Sequence, residues 1–543
     1  MTGQGSCLVS GIVATTGAGG LRSDPEGSAR QRRPAWATPV NLAIAGITVL
    51  ALAIRVYYQY TRPGFLLSVT EYDDGPYFGS AIRLVHGSLP YRDFVLVQPP
   101  GITLLMSPLG LLSKLTGTAS AMAAARVLTA VASTAGVAVV GLLVRHRGLL
   151  TVVIACGISA VYPDTVAAAH TVLVEPWLAL FCLLGALAVF DGDRLTASTR
   201  RLAWGGVAFG FGGAVEAWAI VPVLVVLVLC LPQIRRAVTF AAGVAAGFLI
   251  PVLPFALIAP AKFYQSLITA QIGARAHAIR IPLFTRLDHM AGVFDLNLPD
   301  AALLLVTLAI VAFVVLAYTV SWHRTSQPPA RLDWFAAATA ALTAALFLWP
   351  PQFHYHFAAF LAPFLALTVA LAAGRLLAAA QEGSPSAAGR MGRWSAGAAV
   401  AVLAVMTVIQ FHAETIVPTV LGPVPAAIDR IIPPGACVLT DQVSVTINAN
   451  RFVSASPGCP QLLDTLGTDL ALSHGLTPDT GAGRVPAVAA VWAAAFSHAQ
   501  YLLLTHDYSR RIALSRSLRA YVRTHFRRVY VSPKGLTLYV REG

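Results

Sequence analysis

Runs of about twenty apolar residues recur through most of this chain, and they limit what it can fold into. Such a run spans the ~30 Å hydrocarbon layer as a helix, which satisfies its own backbone polar groups where no water can. Runs of this kind fall at 39–58, 119–144, 148–163, 171–190, 238–258, 299–321, 333–349, 357–377 and 394–412. Residues 202–231 are harder to read: a Gly-rich stretch to Val215, then Glu216, then Trp218 to Leu231. Arg200–Arg201 and Arg235–Arg236 flank this region. Two basic loops on the same face require an even number of crossings. A tight pair of short spans with Glu216 near the tip meets that condition. The expected fold is a polytopic α-helical membrane protein of about eleven transmembrane helices, over residues 38–414, followed by a small α/β domain, 415–543.

Only 11% of the residues are charged, yet the formal net charge is +14. The excess does not point to nucleic acid, because the arginines sit singly or in pairs in short loops between spans. That bias marks those loops as cytoplasmic. Residues 1–37, rich in Gly, Ser, Thr and Arg, read as a disordered cytoplasmic tail. Leu8 to Val13 is too short for a signal peptide, and Arg30, Arg32 and Arg33 follow it just before the first span. The N-terminus is then expected inside and the C-terminal domain outside, in a multi-pass plasma membrane protein. Cys156, Cys182 and Cys230 lie in apolar runs. Cys437 and Cys459, 22 apart, are a plausible disulfide pair if their domain is extracytoplasmic.

The first outer loop, 59–118, contains EYDDGPYFGSAIRLVHGSLPYRDFVLVQPP, Glu71 to Pro100. Glu71, Asp73 and Asp74 fall within four residues. Asp74-Gly75-Pro76 reads as a helix start with Asp74 as cap, and His86-Gly87 as its end. Gly101 to Leu115, short and broken by Pro108, reads as an interfacial or re-entrant segment. Acids beside a span also occur in plain solvated loops, so their partners decide what they mean.

Other polar groups are expected on the same face. Glu175, with His170 before it, heads the fourth span, and a carboxylate in an apolar run is costly unless paired or lining a polar cavity. Glu216 is similar, though it also fits the polar tip of a turn. The outer loop 259–298 carries Arg275, His277, Arg280 and Arg286 against the orientation bias, as a site for an anion or a helix touching lipid phosphates would. His354 and His356 flank Tyr355 between spans nine and ten, a weak metal signal. Arg92 and Asp93 complete the set. Beyond 415, Ala436 to Thr440 and Tyr501 to Thr505 read as strands, Ser515 to Phe526 as a helix, and Val529–Val531 with Leu536–Val540 as a hairpin. Neither strand is followed by GxGxxG, so no nucleotide or redox cofactor is expected.

Acids to take a proton and arginines to hold an anion, at the rim of a lipid-accessible cavity, suit attack by an acceptor hydroxyl on a sugar carried by a lipid phosphate. Carboxylate oxygens on Asp73, Asp74 and Glu175 would also suit Mg²⁺ or Mn²⁺. The order of parts resembles the GT-C superfamily of membrane glycosyltransferases, the polyprenyl-phosphate-mannose and -arabinose transferases, including protein O-mannosyltransferase-like and aminoarabinose transferase-like members. The resemblance rests on Asp73-Asp74, on the run GSLPYRDFVLVQPPG (Gly87 to Gly101) and on the helices before span two. It implies a catalytic base or metal-linked acid at Asp73 or Asp74 and a second acid at Glu175. It implies donor-phosphate contacts at Arg275 and Arg280, with His277 beside them. Glu71, Arg92, Asp93, His354 and His356 are left as acceptor or metal residues. The expected function is inverting transfer of a sugar, mannose or a pentofuranose, from a polyprenyl phosphate to a cell-envelope glycan, glycolipid or protein. A lipid or sugar transporter or flippase, or a non-catalytic envelope assembly protein, are the alternatives.

Overall fold

The computed structural model describes residues 38–61, 64–278, 280–383, 385–412 and 421–542. The expected tail and the seam at 414/415 lie outside them, as does the side chain of His277. Eleven helices among the described residues stand where the apolar runs predict spans: α1 (Pro39–Tyr60), α2 (Thr118–Val144), α3 (Leu149–Val161), α4 (Glu175–Val189), α5 (Thr199–Val215), α6 (Ile220–Cys230), α7 (Ile234–Ile258), α8 (Asp300–Thr325), α9 (Arg331–Leu348), α10 (Phe357–Gly383) and α11 (Pro385–His412). Six of them, α1, α2, α7, α8, α9 and α10, are long and apolar enough to cross a membrane alone. The ambiguous region is a pair of helices, with Glu216 and a short turn between α5 and α6.

The Gly content of α5 has a packing reason. Gly206 and Gly210 face Gly243 and Gly247 of α7, two small-xxx-small faces against each other. A Cβ at Gly210 would lie 2.1 Å from the Val244 carbonyl oxygen, and one at Gly247 2.2 Å from that of Val207. The two backbones therefore touch, and dispersion over that contact takes the place of a hydrophobic force that lipid cannot supply.

The helix ends sort by charge. Arg147, Arg194, Arg236, Arg331 and Arg375 line one cavity at one end of the bundle. The acid-bearing loop and the C-terminal domain lie at the other. There the chain forms the helix Asp74–Val85, ended by Gly87 at φ +91°, and then the helix Gly101–Thr116. Two local expectations fail. Asp74 makes no cap, because Arg126 of α2 and Thr171 claim its carboxylate. Pro108 does not break its segment but sits inside a continuous helix.

A two-residue strand in the first loop, β1 (Ser68–Val69), pairs antiparallel with β2 (Gly422–Pro423). The domain's sheet is β3 (Val438–Thr440), β4 (Tyr501–Leu504), β5 (Phe526–Val531) and β6 (Thr537–Arg541), in the order β3-β4-β6-β5, with only β3 and β4 parallel. Val69, from the first loop, is fully buried with Leu421, Val445, Leu503 and Leu538 of this domain. A disulfide joins Cys437 to Cys459.

Candidate active site

Four consecutive residues, Glu71 to Asp74, are each held differently. The Glu71 carbonyl accepts from Gln442 Nε2 at 2.7 Å and Ser444 Oγ at 3.1 Å, and Tyr355 donates to its carboxylate at 3.1 Å. The Tyr72 hydroxyl donates to Asp464 at 2.9 Å, while the Arg511 guanidinium sits 5.0 Å from its ring centroid. Asp74 is fully buried in a 2.8 Å ion pair with Arg126 and accepts from Thr171 at 2.6 Å. A buried carboxylate paired in this way is committed to structure, because losing either partner strands a charge. Asp73 has a looser charged partner, His356 at 3.7 Å, and a third of its side chain stays open.

The C-terminal domain shapes this stretch by close approach. A Cβ at Gly75 would lie 2.6 Å from the Ser444 backbone nitrogen. Only glycine allows the start of the Asp74–Val85 helix to lie against that backbone.

Opposite Asp73 is His356, buried just before α10, with Nε2 3.7 Å from the Asp73 carboxylate. Its Nδ1 lies 2.6 Å from Oε1 of Glu175, the first residue of α4, while the other Glu175 oxygen, Oε2, is buried without a partner. Burial pushes the Asp73 carboxyl up. His356 pulls it down and Glu71, Asp464 and Glu175 push it further up, leaving it at about 7. Burial disfavours the His356 imidazolium, but Glu175, Asp73 and Glu71 outweigh that and raise it to about 9. Glu71 is raised as well, by burial. The result is a poised carboxylate beside a retained positive charge, in a cluster of acids that cannot all ionise freely.

No protein-family model matches the chain, and no curated protein sequence does. Solved structures do. ArnT from Cupriavidus metallidurans, crystallised with undecaprenyl phosphate, superposes with a TM-score of 0.58 at 15% identity, over 91% of this chain and 97% of that one. Its apo form gives 0.59 at 13%, over 92% and 98%. The Archaeoglobus fulgidus oligosaccharyltransferase tethered to an acceptor peptide gives 0.53 at 12%, over 94% and 75%. These proteins are glycosyltransferases of the GT-C superfamily. The chain has the GT-C fold.

Within this GT-C fold the predicted residues divide. Asp73, Glu175, His356 and Glu71 meet in one cluster, and Glu216, also buried, is within electrostatic reach of Glu175, His356 and Arg275. Arg275 is exposed on the helix Ala270–His277. Arg280 donates to the Trp349 carbonyl at 3.1 Å. Arg286 is buried and spent on the carbonyls of Ile281, Phe347 and Pro351. Arg92 and Asp93 pair with each other at 2.8 Å on the loop surface. His354 stacks on His356, ring centroids 5.5 Å apart. His170 is buried with Nε2 2.9 Å from Thr70 Oγ1.

Asp73, Asp74 and Glu175 do not fit a divalent cation as arranged. Asp73 and Glu175 face each other through an imidazole, and among the described residues no three acid, His or Cys side chains could hold a metal ion together. A hard cation with six oxygen positions needs more converging oxygens than this.

Sequence reasoning missed Arg126 and the bracing set Gln442, Asp464 and Arg511. Arg126 carried a signal, being a lone charge inside an apolar run.

Proposed function

We propose that this protein is an inverting glycosyltransferase that moves a sugar from a polyprenyl phosphate to an acceptor hydroxyl on a cell-envelope glycan, glycolipid or protein. The observation that carries the reading is the line Glu175–His356–Asp73, which ends on an open carboxylate. ArnT, the GT-C structure described above, was crystallised with undecaprenyl phosphate, which supports a polyprenyl phosphate as the donor carrier here. Mannose or a pentofuranose is the sugar we favour. The basic cavity at the opposite end of the bundle supports an N-terminus inside and an active site outside, by the positive-inside bias.

In this mechanism Asp73 takes the proton from the acceptor hydroxyl as its oxygen attacks the anomeric carbon. The bond from that carbon to the phosphate oxygen breaks on the opposite face, and its electron pair stays on the leaving lipid phosphate. One displacement inverts the anomeric centre. The leaving phosphate needs no proton at neutral pH; it needs fixed positive charge, which Arg275, with Arg280 near it in the chain, would supply. His356 keeps the Asp73 carboxylate charged before attack and, by its bond to Glu175, fixed in orientation.

The test is transfer from radiolabelled polyprenyl-phosphate sugars in membranes, wild type against Asp73→Asn. Unchanged transfer by the variant ends this assignment. Sugar-lipid flux in proteoliposomes without any transfer would favour a transporter instead.

A further inference from the structure

The C-terminal domain holds a second concave site that this reaction does not use. Between Asp507 and Glu542 the sequence has no acidic residue but eight arginines and one lysine. Several of these are committed. Arg511 reaches Asp441 and Gln442, Arg527 pairs with Glu542 at 2.8 Å, and Arg541 donates to the carbonyls of Ala499 and Phe496. Arg519, Arg523 and Arg528 are different. They are exposed, and among the described residues none of the three guanidinium groups has a carboxylate or hydrogen-bond partner. All three line one pocket of about 370 Å³, formed by the helix Arg516–His525 and the sheet, with Tyr508 and Tyr539 as further walls.

Three guanidinium groups around one concavity repel one another, and an anion entering it offsets that repulsion. Guanidinium forks match carboxylate and phosphate oxygens two at a time. The tyrosines add flat apolar faces with a hydroxyl at the edge, which suit a ring better than a bare ion. The volume is that of a small-ligand site, which runs from about 300 to 1,000 Å³. A flat basic face would serve lipid head groups equally, but this one is walled.

The pocket is also tied to the catalytic loop. Tyr508 opens the helix Tyr508–Arg511, and Arg511 at its other end lies over the Tyr72 ring, one residue before Asp73. We propose that this pocket binds an acidic sugar residue, bearing a carboxylate or phosphate, of the acceptor glycan at a subsite away from the reacting centre. That the ligand belongs to the acceptor rests on the glycosyltransferase reading; that an acidic sugar binds does not.

The test uses the full-length protein in phosphatidylcholine nanodiscs and measures binding of a short oligogalacturonate and of mannose 6-phosphate. A neutral malto-oligosaccharide, inorganic phosphate and phosphatidylglycerol-rich vesicles are the controls. One or both acidic sugars bind the wild type, and Arg519→Gln/Arg523→Gln binds them about tenfold or more weakly, with an unchanged melting temperature because both side chains are exposed. Asp73→Asn keeps the binding. Equal binding by wild type and the double variant, no binding of either acidic sugar, inorganic phosphate binding as tightly as the sugars, or binding of the vesicles alone each overturns the proposal. If acidic sugars bind but the wild type transfers nothing, the acceptor assignment falls and the site stands. If transfer is intact and binding is absent, the site falls alone.

Discussion

His356 hydrogen-bonds Glu175 through Nδ1 at 2.6 Å and presents Nε2 to Asp73 at 3.7 Å, so one imidazole links two acids that lie 102 residues apart in sequence. Its neighbour in the acidic pair, Asp74, is bound instead to Arg126. Adjacent residues in the chain therefore have different partners, the proposed mechanism gives them separate roles, and the first prediction separates them.

Asp73→Asn lowers the transfer rate by about 10²–10⁴, the range for loss of a general base, and leaves detergent-solubilised protein melting as wild type does. Asp74→Ala acts on stability, because it strands the buried Arg126 guanidinium at a cost of about 3–5 kcal/mol. Thermal melting and a transfer assay on both variants check this. The same phenotype in both would contradict the division of roles.

The pH profile follows from the two groups at the site. Asp73, held up at about 7, must be deprotonated to act, and His356, held at about 9, must be protonated to support it. Transfer per enzyme rises as pH passes about 7 and falls above about 9. Because His356 pulls the Asp73 carboxyl down, His356→Gln shifts the acid limb to higher pH. A kcat/KM profile that stays flat from about pH 6 to about pH 8 would rule the assignment out.

Bracing by the C-terminal domain predicts a loss at a distance. Tyr72→Phe removes the bond to Asp464 and Arg511→Gln the guanidinium over the Tyr72 ring. Tyr72→Phe costs about 1 kcal/mol. Arg511→Gln costs more, because it also leaves the buried Asp441 carboxylate without its guanidinium. Each lowers kcat more than it raises KM, since the loop is loosened and no substrate contact is removed. Steady-state kinetics against donor concentration separates the two effects.

Gly210→Val pushes α5 away from α7, because its Cβ would meet the Val244 carbonyl at 2.1 Å. Overpacking of this kind costs about 1–3 kcal/mol. Gly46→Val in α1, where a Cβ meets nothing within 4 Å, is the matched control and leaves melting unchanged.

The helices were legible because lipid imposes one local solution on each apolar run. Even the α5–α6 pair followed from the charges flanking it. The C-terminal strands and hairpin were legible from alternation and turn chemistry. At the site, Glu175 was legible as a carboxylate in an apolar setting, but its partner was not: His356 read only as half of a weak His pair. The choice between Asp73 and Asp74 could not be read from sequence, since it is decided by Arg126, 52 residues further on. Local rules assigned Asp74 to a helix cap, and a long-range ion pair overrode them. The arginines of the 259–298 loop looked alike in sequence, yet burial spends Arg286 on backbone carbonyls while Arg275 stays exposed. Gln442 and Ser444 gave no signal, being ordinary polar residues in a distant domain.

Gln442 lies 371 residues beyond the Glu71 carbonyl that it holds. A ribosome making this protein delivers Glu71 to Asp74 into the membrane early and the Gln442 segment near the end. Until that late segment emerges, the loop lacks the clamp that aims its carboxylate. On the proposed mechanism, the half-made chain meets the donor lipid without being able to consume it, which ties the onset of turnover to the completion of synthesis.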